Sequence, residues 1–167
     1  MAVKSLIETV TVGAGGATSI EFAAIPQDGV DLVLKVSARR DAASPGIELT
    51  FNSDATDYSH RTLRGITPNV SSISGTGNTY FILFANLSTN TANTFSSNAL
   101  TISNYASSAA KSMSLDVVYE NNAEFGYQSI AAGLWNDTAA ITSLQLVPQS
   151  GNFVQYSTAS LYKIKYD

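Results

Sequence analysis

Ser112-Met113-Ser114-Leu115-Asp116-Val117-Val118-Tyr119 decides the fold. Met113, Leu115, Val117 and Tyr119 fall on one side of an extended chain, and Ser112, Ser114, Asp116 and Val118 on the other. Successive side chains of a strand point to opposite faces, so this period of two reads as a strand with one face in a core and one facing water. The same alternation recurs elsewhere. Leu32, Leu34, Val36 and Ala38 alternate with Val33, Lys35, Ser37 and Arg39, and Ile47, Leu49 and Phe51 with Glu48, Thr50 and Asn52. Tyr80-Phe81-Ile82-Leu83-Phe84 is apolar on both sides, which reads as a central strand or one whose outer face is covered. Further strands are expected at Leu6–Val12, Thr18–Phe22, Tyr58–Leu63, Ala99–Ser103, Tyr127–Ala132, Ile141–Val147 and Thr158–Tyr166. No segment holds a helical period for three turns; Ser107-Ser108-Ala109-Ala110 is at most one turn of helix. Roughly ten short strands punctuated by Gly, Pro, Asn and Ser predict an all-β, jelly-roll-like antiparallel sandwich of two sheets.

The chain has 167 residues, which fits one domain spanning 1–167. A chain of that length buries about 70% of its unfolded surface and needs no metal or disulfide to hold together. Charged residues are only 13% against 44% hydrophobic, so Ser, Thr and Asn must tile the surface. The net charge of −4 and pI near 4.8 argue against nucleic acid, whose phosphates require a basic stripe. Arg39-Arg40 and the group His60, Arg61, Arg64 read as solvated strand ends. No apolar run approaches membrane-spanning length, and Met1–Glu8 lacks the apolar core of a secretion signal.

Residues for bond-breaking chemistry are scarce. His60 is the only imidazole and Cys is absent, so neither a Ser-His nor a Cys-His pair is in prospect and a His/Cys zinc site is excluded. No carboxylate pair stands out for glycoside hydrolysis; Glu120 and Glu124 read as loop residues. Asn52, Asp54 and Asp57 place three oxygen-bearing side chains in one loop, a calcium candidate set against an Asx-turn that caps its own backbone. Gly13-Ala14-Gly15-Gly16 reads as a hairpin turn. No enzyme activity and no cofactor are expected. Trp135 reads as core and Tyr105 as an exposed aromatic. Two long loops, Arg64 to Thr79 and Asn86 to Ser97, are the places for function, with Arg64, Asn69, Tyr80, Asn90 and Tyr105 as the expected contact residues. The first and last strands are expected to pair, with Lys163 and Lys165 protecting an open edge.

Ile25-Pro26-Gln27, Asp31 to Arg39, Leu49 to Asp54, Tyr119-Glu120-Asn121-Asn122, Trp135 with Thr138 to Ile141, and Gly151-Asn152-Phe153 with Ser157 to Tyr162 together resemble a family of small virion structural proteins of marine and cyanobacterial tailed phages. That family's closing phrase usually reads Ser-Leu-Tyr-Gly-Ile; Lys163 stands at the Gly position, which reads as a regular, wet edge. The resemblance implies a particle component made in the host cytoplasm and carried on the capsid exterior. It implies a capsid decoration (cement) protein whose partners are the major capsid protein and two further copies of itself in a homotrimer. The alternative it implies is a trimeric tail-fibre head that recognises host surface glycans.

Overall fold

A computed structural model describes residues 1–121 and 126–166. Its described residues form twelve strands: β1 (Ala2–Thr11), β2 (Ile20–Phe22), β3 (Asp31–Ser37), β4 (Gly46–Phe51), β5 (Tyr58–Ile66), β6 (Asn69–Asn78), β7 (Phe81–Phe84), β8 (Ser97–Ile102), β9 (Lys111–Tyr119), β10 (Tyr127–Trp135), β11 (Leu144–Pro148) and β12 (Thr158–Tyr166). They make two antiparallel sheets, one of eight strands in the order β1-β12-β3-β8-β9-β10-β5-β6 and one of four in the order β2-β11-β4-β7. Ser107 to Ala110 forms bends and no helical turn.

The order has a simple reading. Setting aside β5–β6 and β9–β10 leaves eight strands, numbered one to eight along the chain. One sheet then runs first-eighth-third-sixth and the other second-seventh-fourth-fifth. That is the double Greek key of a jelly roll. The two removed pairs are hairpins, inserted before β7 and before β11. Both add to the same side of the larger sheet, β9–β10 against β8 and β5–β6 against β10. The result is a jelly roll whose larger sheet is extended by four strands.

The alternating residues fill the space between the sheets. Leu32, Leu34, Val36 and Ala38 from β3 and its end are buried, as are Ile47, Leu49 and Phe51 from β4 and Met113, Leu115, Val117 and Tyr119 from β9. Trp135 is fully buried against the Phe51 ring, 5.4 Å between centroids, and lies near-parallel to Tyr58 at 6.3 Å. Its Nε1 donates to Oδ2 of the half-buried Asp54 at 2.8 Å, so the buried indole keeps a polar partner at the edge of the core.

Several expectations change. β7, apolar on both sides in the sequence, is the edge of the smaller sheet and not a central strand. Phe81 and Leu83 on one face are buried, Ile82 and Phe84 on the other are half-buried, and the extended sheet reaches over the strand. Phe81 lies against Gly133 of β10, and Phe84 packs on Tyr127, 5.0 Å between ring centroids. Arg64 to Thr79 is not a loop. It is the end of β5, a turn at Thr67-Pro68 and the strand β6. β1 and β12 do pair, Ala2 opposite Tyr166. Yet β12 is an interior strand between β1 and β3, so its lysines guard no edge. Lys163 and Lys165 instead hold the two oxygens of Asp28, at 2.6 and 2.5 Å. Gly13 to Gly16 does turn the chain, with Gly16 N donating to Gly13 O, but it carries the chain from the larger sheet to the smaller one and closes no hairpin. Arg40 is no solvated strand end either: it is fully buried, its guanidinium donating to the carbonyls of Gly46 and Ser150.

Candidate interaction face

The hairpins β9–β10 and β5–β6 present one continuous outer surface. In register, its rows read Val118-Gln128-Gly65-Val70, then Asp116-Ile130-Leu63-Ser72, then Ser114-Ala132-Arg61-Ser74. Period-two alternation places each of these residues outward while Leu115, Val117, Tyr127, Ser129 and Thr62 point in and are buried. The outward set is unusual at its centre. Leu63 and Ile130 lie directly opposite each other, 57% and 55% exposed, with Val118 and Val70 in the neighbouring row at 43% and 84%. An apolar strip thus crosses four strands; other exposed large apolar residues, such as Val3, Leu6 and Tyr156, lie away from these two hairpins. A shallow concavity of about 580 Å³ lies over it, with Arg61, Leu63, Ser72, Ser114 and Ile130 in its lining. A second depression of about 430 Å³ adjoins the Thr67-Pro68 turn and includes Asn69, Val70 and Val118.

The residues expected from sequence do not come together. Asn69 begins β6 and borders the second depression. Arg64 belongs to the same hairpin, its Nε donating to Ser71 Oγ at 3.0 Å. Tyr80 precedes β7 and its hydroxyl accepts from Gln149 Nε2. Asn90 serves its own loop: its Oδ1 accepts from Leu87 N, and its carbonyl accepts from Arg39 Nη2 at 3.0 Å. Tyr105 corrects the expectation of an exposed aromatic. It is fully buried, donating from its hydroxyl to Pro26 O and accepting from Gly29 N. Burial is the main cause that pushes its pKa up.

The loop from Asn86 to Ser97 is held by Arg39, which donates to the carbonyls of Ser88, Asn90, Thr91 and Thr94 and to Thr94 Oγ1. One guanidinium organises the whole loop, so Arg39 is a structural cap.

Two of the three calcium candidates, Asn52 and Asp54, have their oxygens engaged by the protein. Asn52 Oδ1 accepts from Thr142 N, Thr142 Oγ1 and Ser143 N, and Asp54 divides its oxygens between Thr56 Oγ1 and Trp135 Nε1. Asp57 sits at a positive φ of 62° in the turn that leads into β5. Among the described residues no cluster of three or more His, Cys, Asp or Glu is placed to hold a metal ion. Glu124 lies outside the described residues. His60 is half-buried, its Nδ1 3.4 Å from Asn78 Nδ2, and desolvation together with Arg61 lowers its pKa. Lys111, unremarked in the sequence, is buried with its ammonium on the carbonyls of Ser107 and Ala109 near the Trp135 ring.

The apolar strip escaped the sequence reading because it exists only across strands. One signal was legible: Val118 occupies an outward position in the β9 alternation. No protein-family model matches the chain, and no curated protein matches it. Among the described residues, no helix is long and apolar enough to cross a membrane.

Proposed function

We propose that the chain is a virion structural protein that seats on the outer surface of a phage capsid through the outer face of its extended sheet. The observation that carries the reading is the apolar strip of Leu63, Ile130, Val118 and Val70 on one sheet face, bordered by polar residues such as Gln128, Ser72, Ser74 and Ser114. Apolar surface gathered at one place, with a polar rim, is what a protein contact requires. Arg61 and Asp116 on the same face supply orienting charges of opposite sign. The jelly roll is used by capsid and lectin domains alike, so fold alone selects no function. The sequence resemblance to small phage structural proteins points to the capsid. Seating several copies as a homotrimer on a symmetric shell adds many modest contacts into firm attachment. The role is contact and stabilisation of the head, without catalysis.

The test is occupancy. Purified virions are expected to carry the protein in copy numbers of order hundreds, as shell symmetry dictates, against tens or fewer for a tail tip. Emptied capsids are expected to bind the purified chain. Burying the remaining exposed area of Leu63 and Ile130 is worth about 1 kcal/mol each, so Leu63→Asp with Ile130→Asp is expected to weaken binding at least about tenfold. Binding to host cell surfaces and not to capsids would replace this reading with the glycan-recognising fibre head.

A further inference from the structure

The chain has one imidazole, and the fold seats it at a break in the ladder between β5 and β6. Tyr58 pairs with Asn78 and His60 with Gly75, so β6 carries an extra residue there. Gly77, within this bulge, has φ +64°. The His60 ring is held close by the bulge. A Cβ on Gly75 would stand 2.8 Å from His60 Cε1, and Asn78 Nδ2 lies 3.4 Å from Nδ1. An amide nitrogen only donates, so Nδ1 is the acceptor and the neutral ring carries its proton on Nε2. The ring also borders a closed gap of about 10 Å³, with room for one water at most. Ile73 of β6, Phe81 and Phe84 of β7 and Leu115 of β9 wall that gap, together with Thr62 and Ser129. No carboxylate faces the ring from the strands packed on it. β6, β7 and β10 carry no charged residue, and Gly133 is the residue opposite on β10. On β9, Asp116 is directed to the outer face and Lys111 is bound to the carbonyls of Ser107 and Ala109. On β5 itself, Tyr58 is bonded to Phe51 N and Asp54 O, and Arg64 to Ser71 Oγ. Arg61 is the charge that acts on His60, its Nη1 donating to the carbonyls of His60 at 2.8 Å and Gly75 at 3.5 Å.

We propose that His60 is a proton-sensitive latch: the neutral ring holds the β6 bulge against β5 and β7, and its protonation releases residues 75–78. A second ring proton goes to Nδ1, where it meets the N–H donors of Asn78. The charge arrives beside Arg61, with apolar side chains on its inner side in place of water. Lifting the bulge turns the ring toward solvent and removes these penalties together. Burial, and after it Arg61, keep the ring's pKa below its ordinary 6.5 while the latch is shut. Once open, the ring returns toward that value. The shut form therefore binds fewer protons than the open form between the two values. Closure is complete above about pH 7 and weakens as pH falls from 6.5 toward the shut-state pKa. The bulge is the piece free to respond, because it holds two glycines and β6 has β5 as its single strand neighbour among the described residues. The latch needs no partner and stands independently of the capsid reading.

The experiment uses the full chain between about pH 5 and pH 7.5, the range in which an imidazole titrates. A single histidine gives a proton resonance that follows His60 alone, and its midpoint is expected below 6.5. Hydrogen exchange, corrected for the intrinsic effect of pH, is expected to show residues 75–78 opening more as pH falls. The slope is at most about tenfold per pH unit, and β3 and β8 should stay closed. His60→Gln remains neutral and still offers Asn78 an acceptor, so its opening should be constant across the range. Asn78→Asp sets a carboxylate against Nδ1 and is expected to carry the midpoint above 6.5, so that acid closes the segment. That variant serves if His60→Gln fails to fold, and the native chain's titration and exchange decide if both fail. A native midpoint at or above 6.5 would overturn the proposal, because Asn78 would then be turning its carbonyl oxygen to a charged ring. So would opening of residues 75–78 that is flat with pH in the native chain, that rises as steeply in His60→Gln, or that is shared by the whole sheet.

Discussion

Replacing Gly133 by Ala tests how the two sheets meet. Gly133 lies on β10, where the extended sheet reaches over β7, and its φ is within the range any residue adopts. A Cβ at this position would stand 2.4 Å from Phe81 Cε2 and 2.9 Å from Cδ2 and Cζ. Phe81 is 1% exposed, so the ring has no solvent to move into. Overpacking of this kind costs about 1–3 kcal/mol. The change also stiffens the unfolded chain, which returns about 0.4–1 kcal/mol. The net expectation is a loss of about 1–2 kcal/mol, which for a domain of this size lowers the melting temperature by about 2–8 °C. Trp135 is the only tryptophan and is fully buried, so its emission and far-ultraviolet circular dichroism follow the same transition with independent probes. The companion is Phe81→Leu, which removes the ring atoms that clash. In that background Gly133→Ala should cost at least about 1 kcal/mol less, a coupling that contact between neighbours supports. A Gly133→Ala protein as stable as the native chain, or a cost unchanged in the Phe81→Leu background, would refute the packing argument.

Arg39→Ala should free the Asn86–Ser97 loop: limited proteolysis within it is expected to accelerate about tenfold, and Lys should not rescue it because an ammonium cannot span four carbonyls. Asp28 is held down to a pKa of about 2, chiefly by its hydrogen bond to Lys163 and then by that to Lys165. A depressed carboxylate adds stability above its unfolded pKa of about 3.9 and loses it as pH falls through the folded value. Asp28→Asn should therefore flatten the fall in melting temperature between about pH 4 and pH 2, and salt should shrink the difference, because the site is exposed. Asp54→Ala strands the buried Trp135 N–H and should cost about 1–3 kcal/mol in urea titrations, with Asn recovering part of it. A chelator should leave the melting curve of the native chain in place, since donors from the protein already fill the oxygens of Asn52 and Asp54.

The alternation of β3, β4 and β9 was legible because each has one face wholly in the core, where Leu32, Leu49 or Leu115 tolerates no polar substitute. Trp135 was legible for the same reason. β6 was not: an edge strand with little packed on either face takes Ser, Thr and Gly freely, and those residues are also the vocabulary of loops. Tyr105 misled because a Tyr between Asn104 and Ala106 carries no period, and its burial comes from the distant Pro26 and Gly29. Arg40 misled in the same sense, and Lys111 gave no signal. Backbone carbonyls receive both cations inside the fold, and no spacing in the chain announces a carbonyl. The interaction face lay beyond reach because Leu63 and Ile130 become neighbours only through pairing across β5 and β10.

The inserted hairpins also dictate an order of assembly. β5 and β6 can fold on each other as soon as they emerge, but the pair has no sheet to join until β10 arrives much later in the chain. β10 in turn reaches the body of the molecule only through β9 and β8. Non-local closure of this sort slows folding, and β12 closing onto β1 and β3 adds a longer one still, so refolding of the isolated chain should be slow for its length.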